Sequence, residues 1–104
     1  MPVTTIGTTQ VHVDAEGFLT EYGEWDEDLA RQLAAAIGIE LSDAHWKAIR
    51  FLRADYPARG ETATLRQVSI LAKIPIKELF ALFPGKPAKK MAYVAGLPKP
   101  QGCV

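Results

Sequence analysis

A chain of 104 residues with 48% hydrophobic and 23% charged residues has the profile of one ordinary globular domain with a modest single core. It contains no apolar run of about 18 residues to span a bilayer, and its amino end lacks the basic and then apolar blocks of a secretory signal, so a cytoplasmic protein is expected. Twelve basic and twelve acidic residues cancel, which leaves no basic footprint for nucleic acid, and a single cysteine excludes an internal disulfide framework.

At the front, TTQVHV alternates and DAEG supplies turn residues before Phe18 and Leu19, which predicts a short β-hairpin over about 8–20. His12 alternates with Val11 and Val13 and should face solvent. Asp26 is placed to cap a first helix with Leu29, Leu33 and Ile37 on one face and Gly38 as its stop. Ser42 should cap a second helix, running through Trp46, Ile49, Leu52 and Tyr56 and ending before Pro57, whose ring and missing N–H discourage continuation. Thr64 then caps a third, with Leu65, Val68 and either Leu71 or Ala72 inward. Pro75 suits the first position of a fourth, which carries Ile76, Leu79, Phe80 and Phe83 to a stop at Pro84 and Gly85. Beyond it, KKMAYVA has the pattern of one or two further helical turns within a stretch holding three prolines and two glycines. The fold class is therefore mainly α, an orthogonal helical bundle with an amino-terminal hairpin: a helical core over 26–84 and a carboxyl-terminal arm over 85–104, all in one domain.

The charge is uneven. Seven acids and no base occupy residues 14–28, whereas no Asp or Glu follows Glu78, and the last 26 residues carry only Lys86, Lys89, Lys90 and Lys99. These lysines either meet an anion or an acidic partner surface, or lie across the chain's own acidic stretch. The carboxylates of 14–28 have no adjacent base or nucleophile and read as a solvated face. His45 and Trp46 read as helix packing. No phosphate loop, catalytic acid pair or Ser/His/Asp set is evident, and the sequence calls for no cofactor and no metal, since His12 and His45 lie far from Cys103.

Residues 64–84 have the rhythm of a helix-turn-helix, with a break at Lys73 to Pro75. The predicted exposed positions of the second helix, Lys77, Glu78 and Ala81, suit phosphates and base edges poorly, so a DNA-binding regulator is the weakest of the functional readings. The chemistry concentrates instead on Cys103, the penultimate residue of AGLPKPQGCV. A thiolate is the nucleophile of sulfur transfer. Chain ends are poorly ordered unless tied down, and the prolines and glycines from Gly96 to Gly102 would give an extended arm with bends at its root and before the thiol.

The tail LFPGKPAKKMAYVAGLPKPQGCV closely resembles the carboxyl end of the DsrC/TusE family, whose members end in a pattern like LFPxGPAKxAxxIAGLPKPxGCV. DAEGFL with Trp25, and GIELSDAHWKAIRFLRADY, match further stretches, so the resemblance runs from about Val13 to the end. It implies a helical domain with a small hairpin and a mobile arm whose penultimate cysteine, Cys103, carries sulfur as a persulfide between partner proteins. It also implies that Arg66, in ATLRQV, lies near the docked cysteine and favours its thiolate; from the residues alone Arg66 would be a surface arginine paired with a carboxylate such as Glu61.

Two departures bear on the branch of the family. Members that serve dissimilatory sulfite reductase carry a second cysteine ten positions before the last, and Tyr93 stands there in this chain. One thiol can hold a persulfide but cannot close an internal disulfide, so oxidation should give a Cys103-linked dimer. Single-cysteine members resemble the tRNA-thiolation branch, although the GCV ending looks more like the sulfite-reductase branch. The connection IPIKELFALFP is also shorter than in the family. The leading expectation is a sulfur carrier acting with sulfur-relay proteins; the alternative is a subunit, substrate protein or regulator of sulfite reductase. In either case Lys86, Lys89, Lys90 and Lys99 are candidates for partner docking. The Val104 carboxylate disfavours a thiolate at Cys103, so a cation must offset it.

Overall fold

The computed structural model describes residues 3–6 and 9–100. Within them lie a two-stranded antiparallel sheet and five α-helices. Strand β1 (Val3–Ile6) pairs with β2 (Thr9–His12) in the register Val3 opposite His12 and Ile6 opposite Thr9. A hairpin was expected, but with the segment after DAEG as the second strand. That segment contributes one bridge, Val13 to Leu19, because Asp14 Oδ1 accepts from the N–H groups of Glu16 and Phe18 and closes a tight turn. The chain then enters a 3₁₀ turn at Tyr22–Glu24 instead of continuing the ladder.

Helix α1 (Glu27–Ala36) begins as predicted, with Asp26 accepting from Leu29 N–H at 2.7 Å, and buries Leu29 and Leu33. Gly38, at φ +76°, follows it as the stop. Helix α2 (Asp43–Arg59) does not end before Pro57 but runs through it to Gly60, which takes the left-handed conformation at φ +80°. A proline here removes the N–H that would serve the carbonyl of Arg53, four residues earlier. The Tyr22 hydroxyl donates to that carbonyl at 2.7 Å and substitutes for the lost bond.

Helix α3 (Leu65–Ala72) carries a reciprocal cap, Thr64 Oγ1 accepting from Gln67 N–H while Gln67 Oε1 accepts from Thr64 N–H. Lys73, in the left-handed region at φ 59°, turns the chain into α4 (Ile76–Leu82). The inward side of this unit is Val68, Ile74, Leu79 and Phe83, with Leu65 and Ala72 partly buried. Of the two alternatives for the inward position at the end of α3, Ala72 is partly buried and Leu71 is exposed; Ile76 and Phe80, expected inside, are exposed, with Leu79 and Phe83 already filling the inward face of α4.

The larger difference concerns 85–104. Residues Pro87–Val94 form helix α5, with Pro87 at its first position, and α5 packs on α1, α2 and α4. Met91, Val94 and Leu97 are at most 1% exposed. At about 1.5–3 kcal/mol for each fully buried large side chain, their burial contributes roughly 5–9 kcal/mol before conformational entropy is subtracted. The first half of the expected arm is thus part of the core. Residues 101–104, with Cys103, lie outside the described residues. No helix among the described residues is long and apolar enough to cross a membrane.

Candidate functional site

The segment that leads to Cys103 leaves the core through a tightly held root. Helix α5 ends in a Schellman motif, in which Gly96 N–H donates to Tyr93 O at 3.2 Å and Leu97 N–H to Ala92 O at 3.0 Å, with Gly96 at φ +68°. Three carbonyls of this root face inward, and each is taken by a side chain from a different part of the chain. Trp25 Nε1–H donates to Val94 O at 2.9 Å, Arg53 to Ala95 O at 3.3 Å, and Thr62 Oγ1–H to Pro98 O at 2.6 Å. Thr62 is 3% exposed, so breaking its bond would strand a buried hydroxyl. Pro100 is buried as well.

Arg53 is the electrostatic centre of the root. Its guanidinium also donates to Tyr22 O at 2.9 Å and lies over the rings of Tyr22 and Trp25, at 3.7 and 4.4 Å from their centroids. Burial pulls its pKa below the ordinary arginine value, yet the group stays charged. None of Trp25, Arg53 and Thr62 was a candidate from sequence, because each works through contacts 36 to 69 residues away.

The predicted lysines are partly brought together. Lys86, Lys89 and Lys90 surround an open hollow of about 360 Å³ whose apolar walls are Phe18, Ile37 and Tyr93. Glu16 sits at the same opening, 3.9 Å from Lys89 Nζ and 3.4 Å from Lys99 Nζ. The basic tail therefore does lie across the acidic stretch at one point, while Lys86 has no ion pair among the described residues. Lys90 is turned to Pro84 O. Tyr93, half-buried edge-on against Phe18 with centroids 5.9 Å apart, has its phenol pKa raised by burial and stays neutral.

Arg66 is not among these lysines. It stands exposed in the first turn of α3, four residues after Thr62, and has neither an ion pair nor a hydrogen bond among the described residues. The pairing with Glu61 considered from the residues is absent there. A cation in the first turn of a helix opposes the helix dipole, so local structure gives no reason for it. His45 behaves as a packing residue: Nδ1 accepts from Ser42 N–H at 3.0 Å, which leaves Nε2–H to donate to Leu82 O at 2.7 Å. Among the carboxylates of 14–28, Asp14 and Asp26 accept from backbone N–H groups, Glu24 pairs with His12, Glu27 with Arg50 and Asp28 with Arg31, and Glu16 meets both Lys89 and Lys99.

The structure is a small helical domain with a hairpin, in which three distant side chains hold the root of the carboxyl-terminal segment. The family model described as DsrC like protein matches residues 5–104, and the chain belongs to that family. It is 41% identical over 103 residues to Sulfurtransferase TusE of Sodalis glossinidius, covering 92% of this chain and 95% of the relative. The fold is similar to the NMR structure of Allochromatium vinosum DsrC, with a TM-score of 0.83, 34% identity and coverage of 98% and 97% of the two chains. It is likewise similar to the oxidized gamma-subunit of the dissimilatory sulfite reductase from Archaeoglobus fulgidus, with a TM-score of 0.80, 35% identity and coverage of 99% and 100%.

Proposed function

We propose that the chain is a sulfur carrier that takes up and hands on sulfur as a persulfide on Cys103. The observation that carries this reading is the pinned root. Trp25, Arg53 and Thr62 fix the backbone up to Pro98, and chain geometry then limits the Cα of Cys103 to about 10–11 Å from that of Pro100. A fixed root close to the sequence position of the thiol is what a carrier requires. In the transfer itself, the Cys103 thiolate attacks the outer sulfur of a donor persulfide, R–S–SH. The donor S–S bond breaks, R–S⁻ leaves, and Cys103–S–SH forms with no net oxidation. The family, and relatives named sulfurtransferases, support the assignment.

Arg66 has the role of a thiolate-favouring cation in this proposal. Its exposed guanidinium, without an ion pair among the described residues, stands in the first turn of α3, four residues after Thr62, whose hydroxyl holds Pro98. The lysines around the hollow beside Glu16 are a docking site for a partner's acidic groups.

The test is exposure of the full chain to a small persulfide donor followed by intact-mass measurement. One added sulfur, about 32 Da, is expected on the wild type and none on Cys103→Ser. A wild type that stays unmodified under conditions that load other carrier thiols overturns the reading. Similarity to the gamma-subunit structure supports a second reading, binding to sulfite reductase. Stable co-elution with purified dissimilatory sulfite reductase would favour it, whereas exchange of sulfur with purified relay proteins and no such co-elution favours the relay.

A further inference from the structure

Six large apolar side chains stand exposed among the described residues, and four of them fall on the α3–α4 unit: Ile70 (65% exposed), Leu71 (52%), Ile76 (40%) and Phe80 (46%). Nothing in the packing requires this, since Val68, Ile74, Leu79 and Phe83 already supply the unit's inward face. Ile70 and Leu71 occupy the last turn of α3, Lys73 reverses the chain, and Ile76 and Phe80 lie one turn apart on α4. Exposed apolar side chains concentrated in this way mark an interaction surface.

The occupant is narrowed by chemistry and by position. Arg66, Lys73, Lys77 and Glu78 are the exposed charges of the unit, three positive against one negative. A second helix that reads DNA presents amides and cations to bases and phosphates, whereas this one presents Ile76 and Phe80 on either side of Lys77. The fit is to a protein surface with an apolar centre and an acidic rim. The same unit adjoins the root of the terminal segment: Thr62, whose hydroxyl holds Pro98, lies three residues before α3 begins, and α3 itself is only about 12 Å long. A partner seated on the face therefore sits beside the helix that follows the anchor of the root, from which the segment bearing Cys103 continues.

We infer that the exposed apolar face of α3 and α4 is the docking surface for the persulfide-bearing donor that loads Cys103. The inference rests on the sulfur-carrier reading and adds to it where the donor sits. The experiment measures binding of the full chain to the purified, persulfide-loaded relay complex of the host cell, for the wild type, for Ile70→Glu with Phe80→Glu, and for Lys73→Glu with Lys77→Glu. Both double variants alter exposed side chains, and retention of the helical circular dichroism spectrum confirms the fold.

The apolar pair should weaken binding at least tenfold and the lysine pair should slow association in a salt-dependent way. Loading of Cys103 by a small persulfide donor should be unchanged in both. Relay binding that is the same in the apolar variant and the wild type, no measurable binding by the wild type, or duplex DNA competing for the face would each overturn the inference. Loading by the small donor is read separately, so failure of the docking surface leaves the carrier reading standing, and failure of that loading identifies the carrier reading as the one at fault.

Discussion

Gly96 is the position where one methyl group should do most damage to the presentation of the terminal segment. It has φ +68°, and a Cβ built there would lie 2.5 Å from Cδ1 and 2.9 Å from Cγ of Trp25. Three costs arise in Gly96→Ala. A left-handed conformation costs an L-residue about 1–2 kcal/mol. Overpacking of the indole costs about 1–3 kcal/mol. If the ring moves to relieve it, the bond from Trp25 Nε1–H to Val94 O is lost, at about 0.5–1.5 kcal/mol.

The sum is about 2.5–6.5 kcal/mol, a large part of the 5–15 kcal/mol typical of a whole domain. Gly38→Ala is the control, because Gly38 has φ +76° but nothing within 4 Å of the added Cβ, so only the conformational cost applies. Urea unfolding of both variants isolates the contact with Trp25 as their difference, expected at about 1.5–4.5 kcal/mol. If Gly96→Ala loses no more stability than Gly38→Ala, the close approach of Trp25 to the root is wrong.

Three further outcomes follow from the same contacts. Tyr22→Phe keeps the ring under Arg53 but removes the hydroxyl from Arg53 O; because Tyr22 is 38% exposed, the cost should sit near the low end of a hydrogen bond, about 0.5–1 kcal/mol. It should shrink in a Pro57→Ala background, where an N–H again serves that carbonyl, and an equal cost in both backgrounds in a double-mutant cycle would refute the substitution of one bond for the other. Glu24 has its pKa lowered from the ordinary 4.5, first by the backbone N–H of His12 and then by its ring, so its contribution is present above that value and lost as pH falls through the lower folded one. The gap in thermal midpoint between wild type and Glu24→Gln should accordingly close on acidification and stay constant near neutrality. Arg66→Ala should leave the circular dichroism unchanged and move the pH profile of Cys103 alkylation upward; superimposable profiles would remove Arg66 from the site.

Local signals in the sequence carried most of the helices. Asp26 and Thr64 are caps whose side chains bond within three residues, and Gly38 ends a helix by its own backbone freedom. Where the reading missed, the deciding partner was distant. Pro57 is a helix breaker by local rules, whereas the bond that replaces its missing N–H comes from Tyr22, 31 residues before Arg53. The hairpin was placed one strand too late because DAEG is a good turn, yet the longer ladder formed with Val3–Ile6. Ile76 and Phe80 were assigned inward because apolar residues on a helix normally are; their exposure is what makes the α3–α4 face informative. Of the candidate site, the thiol and the lysines were legible as residue types, whereas Trp25, Arg53 and Thr62 act on backbone carbonyls, which leave no pattern in a sequence.

The packing of α5 also decides whether a terminal segment of this kind can work at all. Ordering a residue's backbone costs about 1–2 kcal/mol. A free segment over 85–104 would add about 20–40 kcal/mol to every docking event, more than even a nanomolar interface, about 12 kcal/mol, returns. Burying Met91, Val94 and Leu97, and satisfying Val94 O, Ala95 O and Pro98 O, meets most of that cost once, on folding. Even if every residue from 101 to 104 had to be ordered at the partner, the charge would fall to about 4–8 kcal/mol. An apolar docking face on α3 and α4 is of the right kind to offset it, and binding would remain weak enough for the partner to leave after transfer. Loosening the root, as Thr62→Val does by leaving Pro98 O without its donor, should therefore weaken partner binding while the reactivity of Cys103 towards a small alkylating agent stays the same. Equal binding by wild type and Thr62→Val would show that the root's order is irrelevant to docking.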